Sequence, residues 1–124
     1  MSVFSIYQIQ FTKSQRTAIN NNEVVPAFEA RTAMMSDFRD YKIGGLASDA
    51  FDAGHYTHVA NITAEDYNDV FHIGNVGPEE NIVRLADRMS SLSVGDIIVA
   101  EDGTCVVVAN MGFVAFSYNP KMVA

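Results

Sequence analysis

The chain reads as an α+β protein: a mostly antiparallel sheet that ends in a three-stranded meander, with helices packed on one face. Three observations predict this. From Arg88 to Phe116, three short apolar runs are cut by two turn signals, Asp102-Gly103 and Asn110-Met111-Gly112. From Ser2 to Phe11, apolar and polar residues alternate as in a strand. Between these two stretches the apolar spacing is mostly helical, and helices segregated from a terminal meander point to an antiparallel sheet covered on one side. At 124 residues with 48% apolar content, a single domain over 1–124 is expected.

In the first strand Val3, Ser5, Tyr7, Ile9 and Phe11 fall on one face, and Phe4, Ile6, Gln8 and Gln10 on the other. Thr12 or Ser14 can cap a short helix running to about Asn20. Asn20-Asn21-Asn22 ends it, because Asn tolerates the left-handed backbone that terminates helices. Pro26 opens a second helix, where its missing N–H costs nothing. Phe28, Thr32, Met35 and Phe38 or Arg39 then recur at helical spacing and are expected to face the core. Residues 40–54 contain Gly44-Gly45 and end in Gly54; they read as a loop with one helical turn at 47–52. His55 to Ile62 reads as a second strand. Thr63 ahead of Glu65 and Asp66 reads as the cap of a third helix, with Tyr67, Val70, Phe71 and Ile73 inward and Gly74-Asn75 at its end. Pro78 opens a short fourth helix that turns Ile82, Leu85, Ala86 and Met89 inward. The meander follows at 96–101, 104–109 and 113–117. Cys105-Val106-Val107-Val108-Ala109 is apolar on both faces, as the middle strand of a covered sheet should be. Asp102-Gly103 predicts a type I′ turn, which requires positive φ.

The net charge of −7 is uneven. Residues 43–83 hold seven carboxylates (Asp49, Asp52, Glu65, Asp66, Asp69, Glu79, Glu80) and no Lys or Arg, whereas residues 1–42 hold five bases and four acids. Such a middle segment repels phosphate backbones, so direct nucleic-acid binding through bulk electrostatics is not expected. If the loop and helices of 43–83 lie side by side, they form an acidic lobe that attracts a basic partner; its sharper version mimics nucleic acid, and its plainer version only keeps the protein soluble. The one cysteine, Cys105, rules out an internal disulfide framework. No apolar run reaches membrane-spanning length and no basic n-region opens the chain, so a soluble cytoplasmic protein with no membrane association is expected.

Signatures of chemistry are sparse. His55 and His58, three apart on a strand, point to opposite faces. His72 lies on a helix, and Cys105 reads as a small buried hydrophobe. The acidic pairs fall at helix starts or a turn, where dipole and solvation account for them. Gly44-Gly45 lacks the strand, helix and Lys of a phosphate loop. No catalytic residue, metal site or cofactor is assigned. Tyr7, Tyr41, Tyr56, Tyr67 and Tyr118 are either half-buried rings or anchors for a protein partner.

One phrase stands out: Ser91-Leu92-Ser93-Val94-Gly95-Asp96. A serine oxygen there can take backbone donors, Gly95 permits a sharp bend, and Asp96 can close the turn onto preceding amides. With Tyr7-Gln8-Ile9-Gln10-Phe11-Thr12, Tyr56-Thr57-His58-Val59-Ala60-Asn61-Ile62 and Asp69-Val70-Phe71-His72-Ile73-Gly74-Asn75, this phrase resembles a class of small tailed-phage proteins of unknown function. Its C-terminal part is also similar to the end of YodL-like domains of mobile elements. The resemblance implies a phage or mobile-element origin and carries over no catalytic residue. Two functional expectations follow. The first is a non-enzymatic interaction protein in the host cytoplasm that binds and modulates a host protein, contacting it through the 43–83 segment, with Asp49, Asp52, Glu65 and Asp69, and nearby tyrosines. The second is a small-ligand or nucleotide-binding module, or a minimal enzyme, built on Gly74-Asn75, Arg88 and the turn of Ser91, Ser93 and Asp96. Self-association into a homo-oligomer is compatible with either.

Overall fold

The computed structural model describes residues 1–36 and 40–116. The stripe position at Phe38 or Arg39, the side chain of Tyr41, Tyr118 and the last residue of the expected 113–117 strand lie outside them. In chain order the elements are strand β1 (Ser2–Ile9), helices α1 (Lys13–Asn20), α2 (Pro26–Ser36) and α3 (Asp40–Asp52), strand β2 (Tyr56–Ala64), helix α4 (Tyr67–Val76), a 3₁₀ turn (Glu79–Asn81), and strands β3 (Ile82–Arg84), β4 (Ile97–Val99), β5 (Cys105–Val108) and β6 (Phe113–Phe116). The six strands form one antiparallel sheet in the order β3-β2-β1-β4-β5-β6, so the first strand of the chain lies inside the sheet and the meander forms one flank. The α+β class and the terminal meander are as expected. No helix among the described residues is long and apolar enough to cross a membrane.

The helices cover both faces of the sheet, not one. Strand side chains alternate, and here both alternating sets are apolar. Phe4, Ile6, Ala60, Ile62, Ile98, Val106 and Val108 pack with Val70 and Ile73 of α4 and with Leu92. Ile9, Ile97, Val107 and Ala109 pack with Ala27 and Met34 of α2 and with Ile43, Ala47, Ala50 and Phe51 of α3. A bulge in the β1–β2 pairing leaves Val59 opposite no residue, so that Val59 and Ala60 both join the first of these clusters. Val107 is fully buried in the second. Val107→Ala is expected to cost about 1–3 kcal/mol, from two lost methyl groups and the cavity they leave. In urea the midpoint should drop at unchanged slope; a variant with the parent midpoint would contradict the burial of Val107 in the middle strand of the meander.

Local chemistry explains several departures from the expected elements. Residues 40–54 are mostly helix: Gly44 faces β6, where an added Cβ would stand 3.4 Å from that of Phe116, so the glycine allows a close helix–strand approach. α2 buries Ala27 and Met34 while Phe28, Thr32 and Met35 are exposed: apolar residues surround this helix, so their spacing does not fix which row faces the core. Thr63 is the penultimate residue of β2, and Asp66 caps α4 by accepting from Asp69 N at 2.8 Å. That helix ends at Gly77, φ 99°, rather than at Gly74-Asn75. The expected fourth helix is a 3₁₀ turn followed by an edge strand, and Leu85 is exposed. The 102–103 turn is not type I′: Gly103 has φ 89° but Asp102 is not at positive φ, and Gly103 N bonds Ala100 O at 3.0 Å. This is a turn followed by a left-handed glycine bulge, the usual three-residue hairpin loop.

Candidate functional site

After β3 the chain must return from the edge of the sheet, past β2 and β1, to start β4. Polar side chains of β1 catch it on the way. The buried Gln8 accepts from Ser90 N at 3.1 Å, donates to Ser90 O at 2.9 Å and donates to Asp96 Oδ2 at 3.0 Å. Gln10 donates to Arg88 O at 2.5 Å. Residues 88–90 are thereby fixed beside the C-terminal end of β1. There Thr12 caps α1 in a reciprocal box with Gln15, at 3.1 and 2.8 Å. The cap sets the direction in which α1 leaves, with Lys13 and Arg16 on neighbouring positions of one helix face.

These pieces enclose an open cleft of about 480 Å³, lined by Ile9, Gln10, Phe11, Thr12, Lys13, Arg16, Arg31, Asp87, Arg88 and Ser90. Four of the chain's eight basic residues meet here, in a protein of net charge −7. Asp87 is the cleft's one carboxylate. Among the described residues no ion pair engages Lys13, Arg16, Arg31 or Arg88; the salt bridge present joins Arg84 to Glu79 at 2.6 Å, outside the cleft.

Behind this wall lies Asp96. Burial pushes its carboxyl up to about 7, while the Ser93 amide, the Gln8 side chain and the field of Arg31 pull it back down. Its Oδ2 accepts from Ser93 N at 3.0 Å, so the carboxylate closes the turn as anticipated, and it does so in place of a serine hydroxyl. Gly95 sits at φ 96°, and Tyr56 donates its hydroxyl to Gly95 O at 2.5 Å. Burial, then the nearby Asp96, raises the Tyr56 phenol well above its usual value and keeps it a donor.

The acidic candidates are not brought together. Asp49 and Asp52 lie on the last turns of α3, ahead of β2, while Glu65 and Asp69 follow its other end. The nine residues of β2 stand between the pairs, a span of about 30 Å at roughly 3.3 Å per residue. That exceeds a screening length of about 8–10 Å, so the pairs do not act as one lobe. Asp69 is occupied locally, accepting from Glu65 N at 2.9 Å. The second group of candidates divides between two cavities. Asn75 and Ser91, with Gly74, line a separate small polar cavity of about 150 Å³, and Arg88 lines the basic cleft. Asn75 donates to Phe71 O at 2.7 Å, and Gly74 is required where a Cβ would stand 2.6 Å from Leu92 Cδ1. Ser93 lines neither cavity and gives its amide to Asp96.

Lys13, Arg16, Arg31, Phe11 and Asp87 were not singled out by sequence. The available signal was that residues 1–42 are the one segment where bases outnumber acids. Among the described residues no group of three His, Cys, Asp or Glu side chains could hold a metal ion. No family model, curated protein or solved structure matches the chain, so the functional reading rests on the chemistry of the cleft.

Proposed function

We propose that this chain is a binding module for a small anionic ligand, held in the cleft at the end of β1. The carrying observation is the convergence of Lys13, Arg16, Arg31 and Arg88 on one cavity of an acidic protein, without ion-pair partners among the described residues. Gathering like charges costs energy through mutual repulsion, and a bound anion reverses the sign of that interaction. The three arginines can each present a planar fork to a carboxylate or phosphate. The reading of the chain as a host-protein modulator rests on its acidic middle segment and on a sequence resemblance to proteins of unknown function. It finds less support in the fold, which separates the four carboxylates assigned to that contact.

Thermal unfolding in phosphate, pyrophosphate and citrate at low ionic strength tests the proposal. A ligand that binds only the folded state at a hundredfold excess over its Kd stabilises it by about 2.7 kcal/mol. Arg16 is exposed, so Arg16→Glu should fold normally. It should weaken anion binding by roughly tenfold or more, the scale of one lost charge-assisted hydrogen bond. Equal shifts in the parent and in Arg16→Glu would assign the stabilisation to general salt effects and remove the cleft as a site.

A further inference from the structure

Resting on that reading, we infer that the ligand of the cleft is a nucleoside diphosphate: an anion that also carries hydroxyl groups and a planar ring. Three features exceed what a bare oxyanion needs. The first is size. A cavity of about 480 Å³ falls among those that enclose whole small molecules, roughly 300–1,000 Å³, and an isolated phosphate would leave most of it to water. The second is Asp87. A carboxylate among four cations weakens the hold on a naked anion, yet it is an acceptor-only group. It serves a ligand that brings donors, as the hydroxyls of a ribose do. The third is Phe11, half-buried on the cleft wall and braced edge-on by Phe28 with ring centroids 5.8 Å apart. A fixed aromatic wall beside cations is the arrangement on which a base stacks.

Charge fits as well. The cleft has three more cations than carboxylates. A nucleoside diphosphate brings about three negative charges near neutral pH, given a terminal second pKa of about 6. The chain supplies what such a ligand asks for in separate places: Lys13, Arg16, Arg31 and Arg88 for the phosphates, Asp87 for sugar hydroxyls, Phe11 for the base.

Isothermal titration at fixed low ionic strength tests this with phosphate, pyrophosphate, ADP, GDP, CDP and UDP. At least one nucleoside diphosphate should bind tenfold or more tightly than pyrophosphate. Phe11→Leu, which keeps apolar bulk against Phe28, should erase most of that advantage and leave pyrophosphate unchanged. Asp87→Asn should move the two probes in opposite directions, tightening pyrophosphate and loosening the nucleoside diphosphate. If pyrophosphate binds as tightly as every nucleoside diphosphate, or if the advantage survives both substitutions, the inference is overturned while an anion cleft stands. If no phosphate compound binds, the anion reading falls with it.

Discussion

The unfolding free energy should fall as pH rises from about 4 to about 7 and then level off, and Asp96→Asn should abolish the fall. The Asp96 carboxyl is raised from its ordinary 3.8 to about 7, mainly by burial. Between these values the folded protein keeps a proton that the unfolded chain has released. The unfolded state then binds fewer protons, so stability drops by about 1.4 kcal/mol per pH unit. Across the window the loss is on the order of 4 kcal/mol, a large part of what a domain of this size has in hand. The stabilising contribution is complete below the ordinary carboxyl range and gone above about pH 7. Glu79 and Asp102 act in the opposite sense. The Arg84 hydrogen bond lowers the first and the Thr104 amide lowers the second, so their contributions disappear only on acidification below the usual carboxylate range. Asp96 should therefore dominate the carboxylate contribution to the slope between pH 5 and 7. Urea unfolding at pH 5, 6, 7 and 8 measures it. A slope shared by the parent and Asp96→Asn would remove Asp96 as its source.

Much of the sheet was legible because its cause is local. The alternation of Phe4, Ile6 and Gln8 against Tyr7 and Ile9, the two-faced run Cys105–Ala109 and a helix cap at Thr12 or Ser14 are each written within a few residues of chain, and the structure settles the cap on Thr12. What was missed depends on partners distant in sequence. Gly44 looks like a helix breaker until β6 is placed against it, where its missing side chain is what lets α3 dock. Helices segregated from a terminal meander suggest cover on one face, but the apolar character of both faces of the strands requires it on both. The three-residue strand β3 is too short to show a period. The cleft was the least legible part. Its cations stand at 13, 16, 31 and 88, on two helices and a return loop. Lys13 and Arg16 are one helical turn apart, but no spacing rule connects that pair to Arg31 or Arg88, and only the central position of β1 makes them neighbours. The Ser-Val-Gly-Asp phrase shows its turn chemistry locally, but its tie to Gln8 spans 88 residues and leaves no local trace.

That tie yields the other large effect. Gln8→Leu should cost about 2–4 kcal/mol and loosen the wall of the cleft. The side chain is 3% exposed and completes three hydrogen bonds, two to Ser90 and one to Asp96. Leucine fills similar space, so the cost lies in polarity: the buried Asp96 carboxylate keeps the Ser93 amide but loses the Gln8 amide, worth about 1.5–3 kcal/mol for a bond to a charged group, while the Ser90 amide and carbonyl lie at the cleft, where water replaces part of what they lose. Gln10→Leu is the control. Its side chain is only partly buried and makes a single bond to Arg88 O, worth roughly 1 kcal/mol. General destabilisation could imitate the first result, so the pH profile supplies a second reading. The Gln8 amide stabilises ionised Asp96 and lowers its pKa. Without it the carboxyl should titrate higher still, and the levelling-off in the stability profile of Gln8→Leu should move above about pH 7. Anion affinity should weaken in the same variant, because Arg88 and Ser90 hang on the released segment. A large loss of stability with the levelling-off unmoved would mean that Gln8 merely fills space, and that Asp96 and the cleft are not coupled through it.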